Sequence, residues 1–111
     1  MSRLSELEFA EDLVVPILDG DKTGTVRYGP VSVYVGEEVS AITPDGSEFA
    51  TIEITRSAKL NAIEALAVLD VFGAEYPADT VDELLEGVNR HYEASIRPET
   101  TVRVLVFEVV R

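Results

Sequence analysis

The chain has no cysteine and no tryptophan, one histidine, one methionine and two lysines among its 111 residues. Without cysteine there is no disulfide framework, no thiolate nucleophile and no cysteine-ligated zinc. The lone His91 has no second histidine or cysteine to complete a metal set, so no metal and no cofactor is expected. A Ser-His-Asp hydrolase is disfavoured too, since no serine stands in a G-x-S-x-G elbow. The glycines form neither a Walker loop nor a G-x-G-x-x-G turn, which removes the common nucleotide-binding motifs. No apolar run approaches the ~20 residues that span a bilayer, and the start "MSRLSELEFAEDLVV" lacks the basic-then-apolar layout of a secretion signal. The expectation is a cytoplasmic protein with no membrane partner. No repeat, linker or low-complexity tract interrupts the chain, so residues 1–111 are expected to form one domain.

Acidic residues are what the chain has in excess. Twenty-one Asp and Glu face nine Lys and Arg, a formal charge of −12. Such a surface fits a salt-loaded cytoplasm, where carboxylates hold water and their mutual repulsion is screened within ~3 Å at molar salt. An ordinary acidic protein, or one with a basic partner, is the lesser alternative. The missing basic patch argues against DNA as a ligand and against affinity built on phosphate contacts alone.

Hydrophobic periodicity predicts the order β, α, several β, α, α, β. "LEF" at 7–9 reads as a short strand. Leu13, Val14, Ile17 and Leu18 recur at helical spacing before Gly20, with the helix starting or kinking near Pro16. "TVR" opens a strand, and 28–36 reads as an irregular connection with a strand inside it. "EEVSAIT" and "EFATIEITR" alternate with period two around the turn "PDGS". Residues 59–73 read as a helix ending at Gly73. Thr80 and Glu83 form a capping-box pattern ahead of a helix whose apolar face carries Val81, Leu84, Leu85, Val88 and Tyr92. "TVRVLVFEVV" is apolar on both faces and should be a central strand. An α+β antiparallel barrel of five to six strands with two or three flanking helices satisfies this pattern and leaves few open edges.

The chemistry concentrates in "GDKTGTVR", residues 20–27. Gly20 can close a helix, with Lys22 and Arg27 as plain surface charges near its negative end. Yet lysine is scarce, Thr25 stands three residues from Lys22 at a strand start, and alternation puts Arg27 on the same face as Thr25. A desolvated lysine beside a second cation has a lowered pKa and can act as a base. A threonine hydroxyl within its reach becomes a nucleophile, and an arginine can hold a carbonyl oxygen.

These residues resemble the ASCH family, a branch of the PUA-like superfamily. Its signature of glycine, one residue, lysine, two residues, threonine or glutamate, one residue and arginine falls on Gly20, Lys22, Thr25 and Arg27. "VGEEVSAI", "ATIEITRS", a helical insert and an apolar last strand follow in the family's order, over most of residues 7–110. The resemblance implies a β-barrel with a cleft lined by the motif, and a link to RNA by analogy with PUA domains. The small members that hydrolyse N4-acetylcytidine carry the same Lys-Thr-x-Thr-x-Arg run. By that likeness Lys22 assists, Thr25 is the nucleophile and Glu75 completes the catalytic set, with Glu64 as the fallback. Gly20, Thr23 and Arg27 would contact the substrate. Two functions stay open: an amidohydrolase of an acylated nucleoside, or a non-catalytic RNA-binding module that stacks bases on Tyr28, Tyr34, Tyr76 or Tyr92. The oligomeric state is not legible.

Overall fold

A computed structural model describes residues 4–29, 31–76, 78–91 and 96–110. Five strands form one sheet: β1 (Ser5–Glu8), β2 (Gly24–Arg27), β3 (Glu38–Ile42), β4 (Glu48–Asn61) and β5 (Thr101–Val109). A short 3-10 turn (Glu11–Leu13) runs into α1 (Val14–Asp19), and α2 (Ala62–Val71) and α3 (Val81–His91) lie between β4 and β5. The spatial order is β1-β3-β4-β5-β2, so the N-terminal strand and the motif strand are the two edges. The sheet is curled into a half-barrel with three helices, the α+β architecture expected. Its ladders are antiparallel except for the β1–β3 pair, which is parallel.

β5 is central, as its sequence predicts, and its alternation builds two cores. Leu105 and Phe107 point to one side, with Phe9, Ile17, Val39, Ile52 and Ile54. Val102, Val104 and Val106 point the other way, against Leu69, Leu84 and Val88 of α2 and α3. Phe9 meets Phe49 and Phe107 edge-on, which ties the segment after β1 to the middle of the sheet.

Two expectations need correction. Residues 59–61 belong to β4 rather than to the following helix, which begins only at Ala62. The pairing shifts register between Ile54 and Arg56. The strand bends at this bulge and residues 57–61 continue paired with β5, so the ladder outweighs the helical spacing. Asn61 then caps α2 by accepting from the Glu64 N–H. In addition, the described residues 31–36 hold no strand.

Pro16 sits in the first turn of α1, where its missing N–H costs nothing, and the helix runs through it. The capping box of α3 forms as read: Glu83 N–H donates to Thr80 Oγ1, and the Glu83 carboxylate accepts from Asp79 N–H and the Thr80 hydroxyl. Tyr92 lies outside the described residues.

Candidate functional site

The motif begins where α1 stops. Gly20 adopts φ +80°, a left-handed conformation that glycine enters without strain, and its N–H bonds Ile17 C=O. The Pro16 carbonyl then accepts from the N–H groups of both Asp21 and Lys22. This tight turn aims Lys22 inward. Only 4% of it is exposed, unusual for a lysine.

Lys22 Nζ donates to Gly24 C=O at 2.7 Å and stands 4.4 Å from the centroid of the Tyr76 ring. Neither partner carries a charge. Burial, with the nearby Arg27 guanidinium as the smaller cause, lowers its pKa from 10.5 to about 7. Near neutrality the amine is therefore divided between its charged and neutral forms.

Thr25 is 6% exposed on β2, opposite Leu105 of β5. Arg27 follows on the same strand face, its guanidinium 4.7 Å from the Phe9 ring. That contact joins the two edges of the curled sheet. Gly24 needs its missing side chain, because a Cβ there would lie 2.5 Å from Leu69 Cδ2 and 3.1 Å from Ala74 Cβ.

Lys22, Thr25 and Arg27 line one cleft of about 610 Å³, together with Phe9, Leu13, Tyr76 and Val88. The structure thus brings together three of the six residues expected from the sequence. Gly20 serves the turn below. Thr23 is a stitch: its N–H bonds Glu75 C=O, its hydroxyl accepts from Glu75 N–H, and its C=O accepts from Phe107 N–H. Neither Gly20, Thr23 nor Glu75 is among the cleft's lining residues. The Glu75 side chain is exposed, but its backbone holds Thr23 and Gly24, and the next residue, Tyr76, lies over Lys22. Glu64, the fallback, is exposed on α2 and does not line the cleft.

The sequence reading missed four carboxylates that do line it: Glu8, Asp12, Glu83 and Glu86. Two have structural tasks, Glu83 in the cap of α3 and Glu86 in an ion pair with Arg90 at 3.3 Å. Spacing on α3 places Glu83, Glu86 and Arg90 on one side of the helix. That was legible, but which neighbour this side meets was not. Among the described residues no group of His, Asp or Glu could hold a metal ion. Nor is any helix of the described residues long and apolar enough to cross a membrane.

The architecture is that of ASCH domains. The ASCH domain from Lactobacillus crispatus superposes with a TM-score of 0.65 at 20% identity, covering 96% of this chain and 80% of that one. Protein EF3133 from Enterococcus faecalis, of the DUF984 family model, gives 0.70 at 18% identity, over 99% and 82%. A mutant of the ASCH protein of Zymomonas mobilis gives 0.62 at 10%, over 96% and 71%. No protein-family model and no curated protein matches the sequence. The identities are low, so what these structures share with this chain is the fold.

Proposed function

We propose that this ASCH-type domain is an amidohydrolase that removes the acyl group from N4-acetylcytidine or a related acylated nucleoside. One observation carries the reading: a buried lysine with a pKa near 7 lines the same cleft as Thr25 and Arg27. A lysine kept there only for stability would gain nothing from desolvation, whereas a base working at neutral pH needs it.

In this mechanism the neutral Lys22 amine takes the proton of the Thr25 hydroxyl as Thr25 Oγ1 attacks the amide carbon. Its N–H bond to Gly24 C=O, one residue before the nucleophile, fixes the amine while leaving its lone pair for the proton. Arg27 donates to the oxyanion of the tetrahedral intermediate. The C–N bond breaks, the Lys22 ammonium returns the proton to the leaving amino group, and an acyl-threonine ester remains. Water, with Lys22 again as base, cleaves the ester and releases the carboxylic acid. The Glu75 side chain lies outside the cleft and takes no part in these steps; its backbone holds the segment whose Tyr76 covers Lys22. Lining aromatic surface from Phe9 and Tyr76 suits a flat base.

The carboxylate lining and the small number of cations disfavour the non-catalytic RNA-binding reading. The test is release of acetate from N4-acetylcytidine by the wild type and by Thr25→Ala and Lys22→Met, with Glu64→Gln, at an exposed position outside the cleft, as the comparison. Loss in Thr25→Ala and Lys22→Met, with retention in Glu64→Gln, supports the assignment. Equal release by wild type and Thr25→Ala, or none by the wild type, overturns it.

A further inference from the structure

A buried amine that takes a proton must hold the charge it gains, and few groups around Lys22 favour that charge. Only 4% of the residue is exposed, so water solvates it little. Among the described residues it forms no ion pair. The charged groups that line its cleft are Arg27 on β2, Glu8 on β1, Asp12 in the 3-10 turn, and Glu83, Glu86 and Arg90 on α3. Of these, Arg27 acts on the amine, and it disfavours the ammonium form, as burial does.

Two neutral groups act the other way. Gly24 C=O accepts from Lys22 Nζ at 2.7 Å, and Nζ stands over the Tyr76 ring, 4.4 Å from its centroid. The face of an aromatic ring carries partial negative charge, so it attracts an ammonium more strongly than a neutral amine. The attraction grows where water is excluded.

The fold fixes the ring and the carbonyl in one frame. Glu75 C=O accepts from Thr23 N–H at 2.8 Å and from Gly24 N–H at 3.2 Å, which ties the residue before Tyr76 to the residue that bonds the amine. On the other side, Ala78 N–H donates to Tyr76 C=O at 2.9 Å. Tyr76 also packs against the core that contains Val26, Leu69 and Val88. The ring is therefore placed before any proton moves.

We propose that Tyr76 is a positioning residue whose ring face holds the ammonium form of Lys22 and, with Gly24 C=O, sets where the amine stands when it takes a proton. Its consequence for catalysis rests on the amidohydrolase reading above; the contact with the amine does not. In that reaction the proton leaves Thr25 Oγ1 for Lys22 Nζ, and the ring stabilises the cation so formed. Burial and Arg27 weaken the base, and Tyr76 offsets part of that loss.

The test reads Lys22 directly. The chain has two lysines, so carbon-13-labelled lysine gives two side-chain NMR signals, and Lys22→Met assigns them. Both are followed from about pH 5.5 to about pH 11, across the lowered and the ordinary lysine range. Tyr76→Leu should lower the Lys22 midpoint by about 0.5–1 pH unit, because the amine stays buried and loses the ring. Tyr76→Phe keeps the ring face and should leave the midpoint within about 0.3 unit of the wild type. Tyr76→Met, whose flexible side chain fills irregular gaps, takes the place of Tyr76→Leu if that variant does not fold. A midpoint that rises in the aliphatic variant would overturn the inference, because Tyr76 would then only shield the amine from water. An unmoved midpoint, or an equal fall in Tyr76→Phe, would overturn it as well. The pH profile of kcat/KM for N4-acetylcytidine should shift with the NMR midpoint. A raised KM with an unshifted profile would assign the ring to the ligand instead. An NMR shift without acetate release supports the contact and sinks the amidohydrolase reading alone; acetate release with no NMR shift sinks the contact alone.

Discussion

Replacing Lys22 by methionine should flatten the dependence of stability on pH. The buried amine has a pKa of about 7 in the folded chain, whereas in the unfolded chain it should titrate near its ordinary ~10.4. Between those values the unfolded state holds the proton and the folded state does not. Stability contributed by this residue therefore rises with pH across the window and is lowest below pH 7, where the buried group must be charged. One proton of difference gives a slope of about 1.4 kcal/mol per pH unit. From pH 7.5 to 9.5 the wild type should gain about 2 kcal/mol relative to Lys22→Met. Methionine keeps the length of the side chain, so the cavity change is small. Urea unfolding at several pH values and constant high salt measures the difference. The absence of cysteine removes one group that would otherwise titrate in this range. Parallel stability curves for the two proteins would refute the argument, because they would mean that Lys22 titrates alike in the folded and unfolded states.

Two further changes probe the scaffold beneath the site. Gly24→Ala forces a Cβ against Leu69 and Ala74 at the start of β2, and should cost about 1–3 kcal/mol in chemical denaturation. Thr80→Ala removes the side-chain cap of α3 and should cost about 1 kcal/mol, with a matching loss of the melting temperature.

The fold was legible where one period ruled. Alternation marked β3, the first part of β4 and β5, and the capping box marked α3. The second half of β4 was not legible, because residues 57–61 acquire their strand conformation from pairing with β5 across forty residues of chain. The site was legible in the same uneven way. "GDKTGTVR" identified Lys22, Thr25 and Arg27, since a turn and a strand fix their relative placement locally. The lining from Tyr76 and α3 depends on where the α2–α3 connection docks, through the hydrogen bonds of Thr23 and Gly24 with Glu75. Register was hidden for a related reason: Arg27, Lys59 and Arg103 are far apart in sequence, and only strand pairing sets them side by side.

The central claim is that a neutral Lys22 activates Thr25 in this cleft. The pH profile of kcat/KM for N4-acetylcytidine tests it most directly. The account predicts activity that rises with a midpoint near pH 7, set by the lowered pKa of Lys22, and that is lost in both Thr25→Ala and Lys22→Met. Undiminished hydrolysis in Lys22→Met, or a wild-type profile with no inflection between pH 6 and 8, would contradict it.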